Sequence, residues 1–380
     1  MGNRYDIGAI VLAGGFSLRM GRFKPLLPLG DRCVIERVVH LFQHTGIEDI
    51  LVVVGHRGDE IRRAVAPLNV VCVENPDFAE GMLTSVRAGI RALSERCRAF
   101  FIHPADIPMV RRQTVKRLAD AGEASSAAVL YPTFNGRRGH PTLIRSRLGP
   151  QILKWPGAGG LRCFLQGHDD ESLELPVADE AVLLDLDTAG DYSRMLARLA
   201  GEGLPTEAEC RVLMNNLHTL PAAVAAHCRA VAAVARRLAE SLRTAGLEID
   251  VALVHTAALL HDIARTGKDH ARAGASLLRD HGFVRLAPIV EAHMELEVDP
   301  GRPLDEIQVV FLADKLVVGD QVADLEQRFA RKMEKYGLNP AAAAAIASHR
   351  ETARFIRDKV ERVAGMALDA ILITDGGLVT

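Results

Sequence analysis

A glycine-rich loop that directly follows a short apolar run constrains the fold of this chain more than any other feature. Residues 7–12 predict a buried first strand, and Gly14 and Gly15 follow it with no Cβ to keep a ligand away from the backbone. The same loop adds one hydroxyl and two cations: Ser17, Arg19 and Lys24. Backbone amides and basic side chains after a sheet strand are typical of a nucleoside triphosphate site, whereas a Gly-Gly pair alone is more often an ordinary turn.

Strand and helix patterns alternate through the first half of the chain. Apolar strands are predicted at residues 49–54, 70–73 and 99–103, and helices at 35–44, 58–66 and 84–94. This alternation predicts an α/β domain with a doubly wound, mostly parallel sheet, whose ligands bind beyond the carboxyl ends of the strands. Asp106 follows the fourth strand at such an end. Its carboxylate is suited to hold Mg²⁺ against triphosphate oxygens, and capping of a helix predicted at 111–121 is the alternative.

The loop pattern LAGG-x-S-x-R-M-G-x-x-K-P-L-L-P resembles the signature of nucleotidyltransferases that act on molybdenum cofactor and, more broadly, of sugar-phosphate nucleotidyltransferases. Three later segments resemble the same family: ENPDFAEGMLTSVRAGI at 74–90, RGHPTLI at 138–144 and LDLDTAGDY at 184–192. The last of these resembles the closing strand and loop of the family. The resemblance implies a nucleotidyltransferase domain over residues 1–200 that uses Mg²⁺ and releases pyrophosphate.

The resemblance also implies a role for individual residues of this domain. Residues expected to bind the nucleotide are Leu12, Ala13, Gly14, Gly15, Ser17, Arg19, Lys24, Asn75, Gly81 and Ser85. Catalysis is expected from Arg19, Lys24 and Asp106, Mg²⁺ binding from Asp106 and Asp187, and contacts to the second substrate from His140 and Arg162. Three of these keep a simpler alternative, because Asn75 could cap a turn, His140 could be an ordinary loop histidine, and Asp187 could cap the next helix.

Two departures from the family pattern leave the substrates open. Gly14 stands where the cytidylyltransferase branch usually has alanine, and glycine there is typical of the guanylyltransferase branch. Ala158 replaces the acid of the G-D-x-G-A-R segment, although Arg162 is retained. Both CTP and GTP therefore remain candidates. The acceptor is expected to be a phosphorylated small molecule, either a molybdopterin-type cofactor or a sugar or alditol phosphate.

The composition changes at residues 201–205, after which helical patterns replace strand patterns. Helices are predicted at 222–243, 250–264, 270–281, 286–294, 304–317, 321–335 and 340–363. These patterns predict an all-α helical bundle over residues 207–365, followed by a C-terminal tail at 366–380.

Histidines and aspartates recur along these helices in the order His227, His261, Asp262, His270, His293 and Asp314. A lone helix histidine is more often solvated or hydrogen-bonded than a ligand, but Asp314 lies in an apolar helix, where a buried carboxylate needs a cation or donor. The order resembles the HD-domain phosphohydrolase superfamily over residues 212–318. That resemblance implies a metal held by His227, His261, Asp262 and Asp314, and a second held with the help of His270 and His293.

Imidazole and carboxylate ligands favour Mn, Fe, Ni or Zn, and such metals would serve hydrolysis of a phosphoester or anhydride. Lys268 and Arg265 are candidate contacts to substrate phosphate, with solvated surface cations as the commoner case. The alternative from another class is a helical domain that senses a nucleotide and regulates the first domain.

Length, net charge and cysteine spacing limit the classes of partner that this chain can have. At 380 residues two domains are expected, and a formal net charge of −2 argues against a nucleic-acid or anionic membrane surface. The six cysteines form no C-x-x-C pair, no apolar run approaches the roughly 20 residues that span a bilayer, and the first ten residues do not resemble a signal peptide. We therefore expect a cytoplasmic protein, and the family resemblance implies that its partners are an NTP, a phosphorylated acceptor and a possible molybdoenzyme.

Overall fold

The chain divides after Glu202 into two compact units. The computed structural model describes residues 5–16, 20–265, 267, 269–374 and 377–378. Three predicted site residues, Ser17, Arg19 and Lys268, lie outside the described residues. The division falls close to the composition change at residues 201–205, and the predicted ends of the domains, at 200, 207 and 365, stay a prediction.

An eight-stranded sheet forms the centre of the first unit, in the order β10-β7-β9-β6-β1-β4-β5 with β8 beside β7. Its strands are β1 (Ile7–Ala13), β4 (Asp49–Val54), β5 (Val71–Glu74), β6 (Ala99–Pro104), β7 (Val129–Phe134), β8 (Arg137–Arg138), β9 (Thr142–Arg145) and β10 (Ser172–Pro176). A small hairpin of β2 (Pro28–Leu29) and β3 (Arg32–Cys33) lies apart from it. The sheet is mostly parallel, as the sequence predicts, while β9 runs antiparallel to both β6 and β7.

The first strand lies inside the sheet, parallel to β4 on one side and β6 on the other. All seven of its residues are buried. A parallel strand covered on both faces has to be apolar along its whole length, which explains the uninterrupted run IGAIVLA. The loop that follows this strand is therefore held at the carboxyl edge of the sheet.

The helices of the first unit are α1 (Val34–Gln43), α2 (Gly58–Val65), α3 (Met82–Ala92), α4 (Arg112–Ala124), α5 (Gly149–Lys154), α6 (Gly160–Gln166) and α7 (Ala189–Ala200). Helix α3 packs on β1 so closely that a Cβ on Gly89 would lie 2.4 Å from Cγ2 of Ile10. This contact fixes the start of α3 beside the loop after β1.

The predicted closing strand within residues 184–192 is wrong. Residues 184–187 are irregular, and the backbone N–H of Leu186 donates to the carbonyl of Asp106 at 2.8 Å. The side chain of Leu186 is buried in a small cluster with Leu27, Leu29 and Val34. The apolar alternation of this segment therefore reflects packing against the loops beyond the sheet and not a place in the sheet.

The second unit is mainly helical. Its helices are α8 (Glu207–Val212), α9 (Ala222–Thr244), α10 (Val251–Leu260), α11 (His270–Asp280), α12 (Ala287–Ala292), α13 (Glu306–Lys315), α14 (Leu325–Tyr336), α15 (Pro340–Ala364) and α16 (Leu368–Leu372). Two short hairpins accompany them, β11 (Val317–Val318) with β12 (Gln321–Val322) and β13 (Ile373–Thr374) with β14 (Gly377–Leu378). In the described part of the chain, every helix is too short or too polar to cross a lipid bilayer.

Two candidate active sites

A cavity of about 330 Å³ opens at the carboxyl ends of β1 and β6. The two strand ends are tied together, since the backbone N–H of Ala105 donates to the carbonyl of Leu12 at 3.0 Å. Predicted residues that line the cavity are Leu12, Ala13, Gly14, Gly15, Lys24, Gly81, Ser85 and Asp106. A Cβ on Gly14 would lie 3.3 Å from Ser85 Oγ, whereas Gly15 has open space in front of it. The two glycines thus give a ligand direct access to the backbone at this point.

Lys24 lies between two carboxylates at one wall of this site. Its ammonium Nζ is 2.6 Å from Oδ1 of Asp187 and 3.4 Å from Oδ2 of Asp106. Lys24 is 9% exposed, so its charge acts in a partly dry environment. Burial raises the pKa of Asp106, and the nearby Lys24 acts in the opposite direction. Two carboxylates with a lysine at the end of a glycine-rich loop form a donor set suited to Mg²⁺ and triphosphate together.

The structure removes the capping alternative for Asp187. Helix α7 begins after Thr188, whose hydroxyl accepts from the N–H of Asp191. The carboxylate of Asp191 in turn accepts from the N–H groups of Asp187 and Thr188, at 3.1 and 2.6 Å. This reciprocal cap holds the backbone of Asp187 and leaves its side chain to face Lys24.

Asp106 does not cap a helix either. The residue before α4 is Arg111, and its N–H donates to the buried carboxylate of Asp179 at 2.8 Å. Sequence reasoning did not single out Asp179, whose Oδ1 also lies 3.1 Å from Nη1 of Arg111. Asp179 is 2% exposed, and it fixes the start of α4 behind the site.

Asn75 lies behind the cavity, apart from its lining residues. Its amide donates to the hydroxyls of Ser85 and Thr84, both at 2.9 Å, and its Oδ1 accepts from the N–H of Asp77 at 3.1 Å. The turn-capping alternative thus describes its contacts, and through Ser85 it also supports the cavity wall. A direct contact between Asn75 and the nucleotide stays a prediction.

His140 and Arg162 do not line this cavity. The backbone N–H of His140 donates to the carbonyl of Val182, and burial lowers the pKa of its imidazole to about 4. Arg162 is exposed on α6. Their contacts with a second substrate stay predictions.

Two phenylalanines at the cavity were missed by the sequence reasoning. The rings of Phe16 and Phe78 lie 5.1 Å apart, and that of His56 lies 5.3 Å from Phe16. Both phenylalanines line the cavity, and Phe16 is 43% exposed. An exposed aromatic ring beside a nucleotide cavity offers a stacking surface for a base. The signal available in the sequence was an apolar ring directly after Gly14 and Gly15.

The second unit gathers the six predicted ligands around Asp262. Oδ2 of Asp262 lies 3.4 Å from Nε2 of His261 and 4.0 Å from Nε2 of His227, and His227 is 3.2 Å from Oδ1 of Asp314. Oδ1 of Asp262 lies 3.2 Å from Nε2 of His270 and 3.6 Å from that of His293. The two oxygens of Asp262 therefore face two adjacent ligand groups, His227–His261–Asp262 and Asp262–His270–His293.

The other ring nitrogens fix which atom of each histidine faces the centre. Nδ1 of His261 and of His293 donate to the carbonyls of Ala258 and Val290, both at 2.6 Å, and Nδ1 of His227 donates to that of Gly319 at 2.8 Å. Each Nε2 is thus available as a ligand, the arrangement that metal-binding histidines usually have.

Two buried atoms test whether a metal fits. Nε2 of His261 and Oδ1 of Asp262 have no hydrogen-bond partner among the described residues, although both are buried. Burial raises the pKa of Asp262, but contacts with His261 and His293 outweigh it and hold that pKa well below the usual range. An ionised carboxylate among imidazoles fits one or two divalent transition metals.

The first site combines a glycine-rich loop with a lysine between two carboxylates, and the second has the ligand set of an HD metal centre. Together they define a nucleotidyltransferase that also carries an HD domain. The chain belongs to the MobA-like NTP transferase family, whose domain model matches residues 9–172, and an HD domain model matches residues 224–319.

Known relatives cover parts of the chain. The molybdenum cofactor cytidylyltransferase of Escherichia coli (strain K12) is 30% identical over 189 residues, which are 49% of this chain and 93% of that protein. The bifunctional IPC transferase and DIPP synthase of Rubrobacter xylanophilus is 44% identical over 148 residues, which are 37% of this chain and 33% of that protein. The crystal structure of Rv0371c from Mycobacterium tuberculosis H37Rv has 27% identity and a TM-score of 0.45, covering 52% of this chain and 100% of that one.

Proposed function

We propose that the first unit transfers CMP or GMP from CTP or GTP to a phosphorylated acceptor, most simply a molybdopterin-type cofactor. The observation that carries this proposal is Lys24 held between Asp106 and Asp187 at the cavity beside Gly14 and Gly15. The likeness to the molybdenum cofactor cytidylyltransferase supports this acceptor. The proposal implies a cytoplasmic reaction and a molybdoenzyme that receives the product.

The reaction is an exchange of one phosphorus–oxygen bond for another. A phosphate oxygen of the acceptor attacks the α-phosphorus, and the bond from that phosphorus to the bridging oxygen breaks, so pyrophosphate leaves. Mg²⁺ held by Asp106 and Asp187 would neutralise charge on the phosphates. Lys24 adds a fixed positive charge, and the amides around Gly14 and Gly15 hold the phosphates in line for attack.

The test follows pyrophosphate release. The full chain is incubated with Mg²⁺, a molybdopterin-type acceptor and each NTP in turn, and we expect release with CTP or GTP. Lys24→Ala should reduce the rate by about 100-fold or more, since it removes a charge aimed at the phosphates. Lys116→Ala, an exposed lysine on α4, is the matched control. If no NTP yields pyrophosphate above the level of the Lys24 variant, the proposal is wrong.

A sugar or alditol phosphate is the second candidate acceptor. The loop at residues 12–28, which also resembles that of sugar-phosphate nucleotidyltransferases, supports this candidate. A panel of sugar and alditol phosphates in the same assay separates the candidates, because only the true acceptor raises pyrophosphate release.

For the second unit we propose hydrolysis of a phosphoester or phosphoanhydride. The supporting observation is that both oxygens of Asp262 face ligand groups, so the donor set suits two metals such as Mn, Fe, Ni or Zn. Those metals would activate water and neutralise phosphate charge. Metal analysis of the purified chain and hydrolysis of p-nitrophenyl phosphate test this proposal. A metal-free, inactive unit would instead favour the nucleotide sensor.

A further inference from the structure

A cavity of about 890 Å³ in the second unit opens over the HD ligands His227, His293 and Asp314. This volume is that of a small-molecule site. Its walls carry six further cationic side chains: Arg265, Lys315, Arg328, Arg331, Lys332 and Lys335. The carboxylates among the lining residues are Asp314 and Asp324. The cavity is therefore strongly positive, although the chain as a whole has a net charge of −2.

Three of these cations are engaged by the protein itself. Arg265 pairs with Asp262. The ammonium of Lys315 donates to Oδ2 of Asp314 at 2.7 Å and to the carbonyl of His293 at 3.0 Å. Arg328 donates to the backbone carbonyls of Asp314 and Val317. These three shape the wall around the ligands and stabilise Asp314.

The other three cations have no such partner. Within the described residues, Arg331, Lys332 and Lys335 form no ion pair with a carboxylate. Asp324, the remaining carboxylate of the cavity, accepts from the N–H of Gln327 at 2.8 Å and so begins helix α14. Burial, together with the charges of Arg328 and Lys315, lowers the pKa of Lys332 to about 8. The cavity thus holds more positive charge than its own acids compensate.

Four of the cavity's cations form a row along helix α14. Arg328, Arg331, Lys332 and Lys335 are spaced three, four and seven residues along α14, which places them on one face of the helix. The helix is held in place on other sides, because Phe329 is buried and Glu326 pairs with Arg350 and Arg354 of α15. The helix therefore presents these cations as a row that begins at Arg328, beside Asp314.

We propose that the HD site takes a substrate with two or more linked phosphate groups, one bound at the metal ligands and the others along Arg331, Lys332 and Lys335. This inference rests on the proposed phosphohydrolase function. A single phosphate at the ligands would leave the outer cations without an anionic partner, since, of the residues that the structure describes, Lys332 and Lys335 otherwise contact only the rings of Phe329 and Tyr336. A chain of phosphates supplies several negative charges in a line. In hydrolysis, the oxygen of water bonds to a phosphorus and the bond from that phosphorus to the bridging oxygen breaks. The products are two phosphate species, and the proton released from water passes to solvent.

The experiment compares substrates with one and with several phosphates. Inorganic triphosphate, ATP and p-nitrophenyl phosphate are offered to the full chain with Mn²⁺, and kcat and KM are measured for each. We expect Arg331→Ala/Lys335→Ala to lower kcat/KM for both triphosphates by roughly 10-fold to 100-fold, mainly through KM, and that for p-nitrophenyl phosphate by less than about twofold. If the double variant lowers kcat/KM for ATP but not for inorganic triphosphate, the linked phosphates that the site binds are those of a nucleotide.

Controls keep the test decisive. Arg331 and Lys335 are both exposed on a helix that tolerates alanine. Arg362→Ala, at an exposed arginine on α15, is the control that removes one positive charge outside the cavity. Triphosphate bound by the first unit contributes equally to all variants, since every substitution lies in the second. Equal losses for all substrates, or faster hydrolysis of the monoester than of either triphosphate, would overturn the inference.

Binding separates this inference from the hydrolase proposal. Calorimetric titration of the full chain with inorganic triphosphate and with orthophosphate needs no turnover. If no substrate is hydrolysed, the hydrolase proposal fails, and tighter binding of triphosphate by the parent chain than by the double variant still supports the cation row. Equal binding by the two chains would contradict it.

Discussion

At the scale of single residues, the transferase site depends on three side chains that are far apart in the sequence. Lys24, Asp106 and Asp187 follow different elements, and each is held by its own local contacts. The carbonyl of Asp106 accepts from Leu186, which brings the two carboxylate loops together. A change at any of these side chains should therefore affect the chemistry more than the fold.

Asp187→Asn should lower the rate of nucleotidyl transfer by about 100-fold or more, because an amide cannot provide the negative charge that a Mg²⁺ ligand needs. Pyrophosphate release under saturating NTP measures the effect. Asp185→Asn, an exposed carboxylate two residues away, should behave as the parent chain does. A parent-like rate for Asp187→Asn would show that Asp187 has no such role.

Two histidines in the first unit, the buried His103 and the half-buried His140, should make it sensitive to acid. Burial lowers the pKa of His103 to about 3 and that of His140 to about 4, whereas in the unfolded chain both keep a value near 6.5. The unfolded chain thus binds more protons below that value, so stability is full above about pH 6.5 and falls as the pH drops toward 4. We expect each histidine to cost on the order of 2 kcal/mol at pH 5.

Urea unfolding of the full chain at pH 7 and pH 5 measures this loss. His140→Gln should reduce the difference between the two pH values, and His44→Gln, at an exposed position beside His40, should change it much less. If His140→Gln loses as much stability between pH 7 and pH 5 as the parent chain does, His140 does not contribute to the acid sensitivity.

Local motifs in the sequence predicted which side chains come together at the two sites better than they predicted the residues around those side chains. Lys24, Asp106 and Asp187 come together because each motif residue follows an element that the sheet positions. The neighbouring rings of Phe16 and Phe78 were not predicted, since a ring in a loop has no periodicity and its neighbour is distant in sequence. Asp179 was not predicted either, because its partner Arg111 is distant in the sequence and only the fold brings the two together.

At the scale of elements, helix α3 links the sheet to the cavity. Gly89 lets it approach β1, and its first turns carry Ser85 and Met82 to the cavity wall. The spacing between this helix and the sheet therefore sets the width of the cavity.

Gly89→Ala should destabilise the first unit. Alanine favours a helix over glycine by about 1 kcal/mol, but a Cβ 2.4 Å from the buried Ile10 forces overpacking that costs roughly 1–3 kcal/mol, so the clash prevails. Gly190→Ala in α7, where the nearest atom would be 3.6 Å away, should be neutral or stabilising. Thermal unfolding of both variants measures the contrast, and equal stability would show that α3 moves to accommodate the methyl group.

There are physical reasons why the sequence did not predict some strands and the start of one helix. Strand β7 contains Pro132, and a proline usually argues against an interior strand, yet β9 and β10 pair with β7 on its two sides. Strand β9 has only four residues, too few for an alternating pattern to stand out. Helix α14 begins at Leu325, not at residue 321 as predicted, because Gln321–Val322 pairs with Val317–Val318 around Gly319, whose φ is +63°.

At the scale of the whole molecule, the described residues assigned to each candidate site come from one unit. The residues of the transferase site lie before the division at Glu202, and all HD ligands lie after it.

The two reactions should therefore respond separately to substitution. Asp262→Asn should abolish phosphate hydrolysis and leave pyrophosphate release within about twofold of the parent, and Lys24→Ala should do the reverse. Each variant is the control for the other, with both reactions measured on the same preparation. Loss of both activities in either variant would indicate energetic coupling between the units.

Lys24 has a further consequence for the order in which ligands enter the transferase site. It serves as a built-in counter-ion, so Asp106 and Asp187 are partly neutralised before any ligand arrives. An incoming divalent cation meets a pair that already has a partner, and its affinity is reduced accordingly. A triphosphate offers the ammonium a stronger partner, and the carboxylate pair then regains its full negative charge. Nucleotide and cation should therefore bind together, and a divalent cation alone should bind only weakly to the free enzyme.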